Sequence, residues 1–449
     1  MTIADLRASV TGPVLTPEDD GYANELHTYN LTVVHTPAVV VGAMNAGDVQ
    51  AAVRYAAAHD LPVAVLGAGH GSSVPSAGAV LVTTRRLTGL SIDETGRTAR
   101  VEAGVVWAEL IEQAGKLGLA ALNGSSPTVT VVSYTIGGGL APFGRKHGYA
   151  ADHVTALEVV TADGELRRVT AGSEPDLFWA LRGGKGNFGV VLAVEFALFP
   201  IRTFYGGGIF FPGELSGEVL HLFRRWTQDL PEEMSASVGL LHLPPLPFVP
   251  EPLRDRLVAH LRITYLGDPA EGERLIAPFR ALGEPVIDAV AELPYTAIAS
   301  VHSDPVDPLP LYEHGALLRS LPAEAVDEFL RLAGPGSPLV LAEIRHMGGA
   351  LSRPSAVPNA VGNRDDTLYN VFLVAAGGPP DAEALHAYEQ QLIDALSPWS
   401  TGRRYLNFMF AGETAGLAWS PADYPRLQAV KRRYDPANMF RINHNIPPD

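Results

Sequence analysis

The sequence predicts an α+β protein of two domains, and three observations carry that prediction. A chain of 449 residues exceeds what one ordinary hydrophobic core accommodates. Its N-terminal part holds a strand–helix–strand unit followed by short strands and a hairpin signal. From about residue 205 strand-like runs alternate with longer amphipathic helices, the pattern of an antiparallel sheet covered by helices on one face.

Taken in order, TPAVVVGAM (36–44) reads as a buried strand, DVQAAVRYAAAHD (48–60) as a helix, and LPVAVLGAGHG (61–71) as a strand running into a loop. AVLVTTRRLTGLSID (79–93) and RTARVEAGVVW (97–107) follow, then a helix over 107–119. ALEVVTADGELRRVT (156–170) is two β-rich runs around Asp163-Gly164, a strong hairpin signal. Ser173 and Asp176, ahead of LFWALR, have the spacing of a capping box. In the second part the strands are expected in FYGGGIFF, SASVGLLHL, DRLVAHLRITYLG, SPLVLAEIRHM and DTLYNVFLVAA. Helices are expected in GEVLHLFRRWTQDL, AEGERLIAPFRAL, AEAVDEFLRLA and DAEALHAYEQQLIDAL. The Pro-rich stretches 241–253 and 302–312 read as rigid loops at the rim.

Composition narrows the function classes. A hydrophobic share of 47% with 18% charged residues fits a globular enzyme. No apolar run approaches the roughly 18 residues of a membrane span, and MTIADLRASVTG lacks the marks of a secretion signal, so a cytoplasmic location is expected. A net charge of -16 disfavours nucleic acid and anionic membranes as partners. Cysteine is absent, which removes disulfides, thiolate metal sites and thioether links to a cofactor. The histidines show no paired ligand spacing, so no metal is expected.

Three glycine clusters carry the chemistry. Gly184-Lys185-Gly186-Asn187-Phe188-Gly189 satisfies G-x-G-x-x-G, but a helix precedes it and a strand follows. That order is the reverse of a dinucleotide fingerprint, and the match is rejected. VLGAGHGSS (65–73) follows a strand without opening a helix; its main-chain amides can still form an anion-binding nest. IGGGLAPFGRKHG (136–148) points to a large, flat, phosphate-bearing ligand.

Together these stretches resemble the berberine-bridge-enzyme-like branch of the vanillyl-alcohol-oxidase superfamily of flavoproteins. The matching segments are 65–73, 125–164, DLFWALRGGKGNFGVV (176–191), YLNFMF (405–410) and YPRLQAVKRRYDPANMFRINHNIPP (424–448). The resemblance implies a two-lobed FAD-binding domain from residues 1–204 and 405–449, with an inserted α+β substrate domain at 205–404. It implies FAD bonded covalently through His70, with Gly67, Ala68, Gly69, Gly71 and Ser72 around the pyrophosphate. A neutral imidazole is a competent nucleophile for such a bond. Many members carry a second tether through a cysteine; here the aligned segment is Ser126-Pro127-Thr128-Val129, so attachment is single. The small Val129 side chain resembles the oxidases, which admit oxygen to the flavin.

Further cofactor contacts implied are Ser126, Thr128, Gly137, Gly138, Gly139, Gly148, Asp152, Val190, Asn407 and Asn443. His147, beside Asp152, is expected as a cofactor contact or loop cap. Tyr405, in a Y-x-N-F motif, is the leading catalytic candidate. Period-two alternation would aim it and Asn407 at one face. Tyr134, where relatives often have histidine, and Glu343 in LAEIRHMGG are the other catalytic candidates. Glu343 shares a strand face with Arg345, and a salt-bridged pair is the plainer reading. His346 and Tyr369 are weaker candidates.

The expected activity is that of an FAD-dependent oxidase of a small organic, secondary-metabolite substrate at a CH–OH or CH–NH group. Hydride passes to flavin N5 and electrons to O₂, giving H₂O₂, in a monomer or homodimer. Carbohydrate oxidation, or a non-redox cyclisation or elimination on a flavin scaffold, stay open as alternatives.

Overall fold

The computed structural model describes residues 1–449 except Ser72, Ser73 and Phe248, and the side chain of Pro379. Two small sheets and one large one organise the chain. The first small sheet sets Val39–Gly42, Val80–Thr83 and Val63–Leu66 in parallel, with Val14–Leu15 antiparallel at one edge. Its parallel strands are near-continuous valine, leucine and alanine, as strands covered on both faces must be. Helix Ala46–Ala58 makes the crossover, capped by Asn45, whose side chain accepts from Asp48 N.

The second small sheet is antiparallel, in the order Leu90–Asp93, Thr98–Glu102, Val190–Ala197, Val154–Val160, Leu166–Thr170. The expected hairpin is present, with Gly164 at φ +75 supplying the turn. The expected capping box at Ser173 is not. Helix Pro175–Leu181 starts after Glu174, which takes a left-handed conformation, and Pro175 fills the first turn. The β-branched run before the third glycine cluster folds as a short helix, Val131–Ile136.

The large sheet runs Ile287–Asp288, Thr203–Pro212, Arg256–Tyr265, Met234–Leu243, Leu339–His346, Tyr369–Ala376, Leu311–Leu318, with Ala291–Pro294 beside Thr203–Pro212. All pairings are antiparallel. Alternation sorts its side chains. Val238, Leu261, Ile344, Val371 and Leu373 pack with Val219 and Phe223, Ile276 and Phe279, Val326 and Phe329, and Leu392. Those last residues belong to helices Ser216–Trp226, Pro269–Arg280, Ala323–Ala333 and Ala382–Ala395. The opposite face is turned towards the two small sheets.

The end of the chain returns to the small sheets. Val63 N donates to Met439 O at 3.0 Å. Lys431, at the end of helix Asp423–Tyr434, donates to Asp435 at 2.6 Å, Asn187 O at 2.7 Å and Phe440 O at 3.1 Å. Both ions of this pair are fully buried, and the carbonyls complete the ammonium's hydrogen bonding. The tail is thereby pinned to the 184–189 turn. Among the described residues, no helix is long and apolar enough to cross a membrane, and no cluster of three or more candidate ligands could hold a metal ion.

Candidate active site

A cavity of about 1020 Å³ separates the polar face of the large sheet from the two small sheets. At one end strand Val63–Leu66 runs into Gly67–Gly71, which lines it. Two of these glycines are required by space. A Cβ on Gly69, which sits at φ +78, would lie 1.9 Å from Thr28 Oγ1, and one on Gly67 would lie 2.9 Å from Thr130 Oγ1. The turn's outward carbonyls are used: Ala68 O accepts from Tyr29 N at 3.0 Å and Gly69 O from Asn30 N at 3.2 Å. Its amides are not. Among the described residues, none of the five N–H groups from Gly67 to Gly71 finds a protein acceptor. A row of unused main-chain donors facing a cavity is what a pyrophosphate requires.

His70 stands in that row. Its ring stacks on Tyr29 at 3.6 Å, and its Nε2 lies 2.9 Å from Thr128 Oγ1, which is 3.1 Å from Ser126 Oγ. Burial lowers the imidazole pKa to about 4, so the ring is neutral at pH 7. Unused amides, a neutral histidine and a long cavity together fit an FAD.

Of the predicted cofactor residues, Gly67, Ala68, Gly69, His70, Gly71, Ser126, Val129, Asn407 and Asn443 line the cavity. Thr128 stands behind His70. Ser72 lies outside the described residues. Gly137, Gly138 and Gly139 do not line it; they make room for neighbours instead. A Cβ on Gly137 would lie 1.9 Å from Asn407 Oδ1, and one on Gly139 would lie 2.6 Å from Tyr134 Cε1. Val190 alternates away from the cavity while Gly189 and Val191 face it. Gly148 and Asp152 belong to a clamp on the inserted chain: Asp152 accepts from Tyr149 N at 2.9 Å and pairs with Arg364 at 2.5 Å. His147 packs on Phe199 with ring centroids 4.3 Å apart.

The catalytic candidates divide. Residues Leu406–Phe408 form a 3-10 turn rather than a strand, closed by Phe408 N donating to Tyr405 O at 2.9 Å. Tyr405 therefore leaves the cavity wall and packs with Leu140, Tyr149, Leu317 and Met347. Asn407 does line the cavity, donating to Tyr134 O at 3.1 Å and to the Tyr405 hydroxyl at 3.3 Å. Burial pushes the Tyr405 hydroxyl well above the usual phenol range. Tyr134 lines the cavity and its hydroxyl has no partner. Tyr369 meets Thr227 at 2.7 Å on the helix side of the sheet, and His346 Nε2 lies 3.1 Å from Arg145.

Glu343 and Arg345 do share a face and pair at 3.0 Å. A second guanidinium, Arg262, reaches the same carboxylate at 3.1 Å. Burial alone would raise this carboxyl, but Arg345 and Arg262 outweigh it and hold it ionised, far below the usual range.

Two residues were not anticipated. Glu313 lies on strand Leu311–Leu318, whose LYEHGALL lacks a clean apolar alternation. It faces the cavity with no hydrogen-bond or ion-pair partner among the described residues. Burial raises its pKa to about 7, with Lys185 pulling the other way. Lys185 lines the same cavity, donates to Leu406 O at 3.3 Å, and is lowered by burial to about 8. It sits at φ +52 between Gly184 and Gly186. A side chain kept where glycine is the easier choice is the signal that could have found it.

Two family models match the chain: "FAD binding domain" over residues 37–170 and "Berberine and berberine like" over residues 404–447. The chain is 28% identical to the (R)-6-hydroxynicotine oxidase of Paenarthrobacter nicotinovorans, over 98% of each sequence. The crystal structure of 6-hydroxy-D-nicotine oxidase from Arthrobacter nicotinovorans superposes with a TM-score of 0.83 at 25% identity, covering 98% of this chain and 99% of that one. A berberine-bridge-like protein of Physcomitrella patens gives 0.87 at 20% identity, with each chain covered in full.

Proposed function

From the premise that the chain belongs to the berberine-bridge-like, FAD-linked oxidoreductases, we propose that it is an oxidase of a small organic molecule. The substrate is oxidised at a carbon bearing a hydroxyl or amino group, and O₂ takes the electrons to give H₂O₂. One observation carries the reading: a single cavity joins the turn of unused amides to the polar face of the large sheet.

Bound flavin supplies the hydride acceptor. The Gly67–Gly71 amides would hold the pyrophosphate, and His70 would carry the covalent tether, Nδ1 being the ring nitrogen that Thr128 leaves free. Val129 lines the cavity with a small side chain, which would leave oxygen room to reach the flavin. Asn407 and Asn443 line the cavity as cofactor contacts. Glu313 accepts the proton of the substrate's O–H or N–H, because a general base works best with a pKa near the working pH. Glu343, locked between two arginines, is a weaker base, and the Tyr405 hydroxyl is buried outside the cavity lining, where it accepts from Asn407.

The spectrum of the purified protein before and after acid precipitation tests this reading. Yellow colour is expected to stay with the pellet, and to pass to the supernatant in His70→Ala. A colourless preparation, or colour released from the wild type, removes the FAD or the tether respectively.

A further inference from the structure

Buried polar groups without partners gather where the main cavity meets a small adjoining one. Ser237 stands opposite both Arg262 and Arg345 in the sheet ladder, so the two guanidiniums flank it on the cavity face. Glu343, in the next row, takes Arg262 Nη1 at 3.1 Å and Arg345 Nη2 at 3.0 Å. Arg262 Nε donates to His260 Nδ1 at 3.0 Å, which makes that nitrogen an acceptor and leaves the imidazole proton on Nε2. Among the described residues, Arg345 Nε, the Tyr134 hydroxyl and His302 Nδ1 are buried with no partner, as is His260 Nε2, which sits against Gly208 rather than in the cavity lining. Arg262 and His302 line both the main cavity and a small adjoining one of about 30 Å³, whose wall also includes Arg345 and Ser237.

The charges at this end do not cancel. Two desolvated guanidiniums share one desolvated carboxylate, whereas Asp304, half-buried on the cavity's outer loop, acts on Arg345 through space without an ion pair among the described residues. Two guanidiniums to one contacting carboxylate leave a positive excess, and the Arg345 Nε–H and Tyr134 O–H are donors a ligand can satisfy; buried donors persist unpaired only where something else pairs them.

We propose that this end of the cavity anchors the substrate, and that it takes an anionic oxygen, either a carboxylate or a phenolate. The inference rests on the oxidase reading for what happens to that substrate, but the charge preference is a property of the protein wall. Arginine forks favour such groups because two parallel N–H donors match their geometry. Glu343 then serves as the spacer that holds the two forks, not as a base.

Isothermal titration calorimetry of the purified protein with benzoate, 4-nitrophenolate and benzylammonium, at a pH where all three are ionised, tests it. At least one anion is expected to bind roughly tenfold tighter than the cation, and the tighter of the two identifies the source. Equal binding, tighter binding of the cation, or no heat from either anion overturns the proposal. Glu343→Gln keeps the shape and removes the competing charge, so benzoate should bind about fivefold tighter; unchanged or weaker binding also overturns it. The heats are read whether or not the protein is yellow, so the subsite and the oxidase reading fail separately.

Discussion

The two faces of the large sheet are built from the same strands and obey opposite rules. Towards the helices, Val238, Leu261, Ile344 and Val371 meet Phe223, Phe279 and Phe329 with almost no exposure. Towards the cavity, the alternate positions of those strands carry Ser237, Arg262, Glu343, Arg345 and Phe372, with orphaned donors among them. A period of two lets one strand serve both tasks without compromise. The helix face supplies stability, and the cavity face holds polar groups whose partners come from a ligand.

The difference implies opposite signs for substitutions. On the helix face, Phe329→Ala empties a fully buried site and should cost about 3–5 kcal/mol by urea unfolding. A loss below about 1 kcal/mol would mean that the helix layer collapses to fill the gap, and the contrast between the faces would fail.

On the cavity face, Glu313→Gln should stabilise the protein, and only above a definite pH. The carboxyl moves from 4.5 to about 7 on folding, chiefly through burial, so the folded state holds a proton that the unfolded state has released between those values. Below about 4.5 it is protonated in both states and the substitution changes little. Between about 4.5 and about 7 the wild type progressively loses stability relative to the variant, and above about 7 the gap is constant. Lys185 and Asp304 act on this carboxyl, Tyr29 and Glu389 respond to it, and all four remain in the variant. Melting temperatures of both proteins at about pH 5 and about pH 8.5 read the effect; a difference that does not change with pH sinks it.

The fold was largely legible because its signals are local. VVVG and VAVL declare buried parallel strands, Asp163-Gly164 declares its hairpin, and the helix in AEAVDEFLRLA matches residue for residue. What was missed is where function intrudes on pattern. LYEHGALL hides a cavity-facing sheet position behind Glu313, His314 and Gly315, which no apolar alternation would place there. The 136–148 glycines show how a glycine cluster can be ambiguous. An absent Cβ makes room equally for a ligand or for a side chain, and here it admits Tyr134 and Asn407. His70 and the Glu343–Arg345 pair were legible because one depends on a continuous motif and the other on strand spacing.

The smallest expected effect lies at Lys185 and tests whether the cavity wall trades stability for function. A lysine at φ +52 carries steric strain that glycine does not, of order 1 kcal/mol. Lys185→Gly relieves it but forfeits the hydrogen bond to Leu406 O and gains backbone freedom when unfolded. The ammonium is also buried and lowered to about 8, so near neutral pH its charge costs desolvation that the variant avoids. Relief of strain and of desolvation should outweigh the two losses, leaving the variant about 0.5 kcal/mol more stable at pH 7. Lys185→Ala separates the causes: it removes the charge but keeps the strained backbone, so it should fall below Lys185→Gly. If alanine matches or exceeds glycine in urea unfolding, the left-handed backbone stores no strain, and Lys185 has no more claim to a functional role than its neighbours.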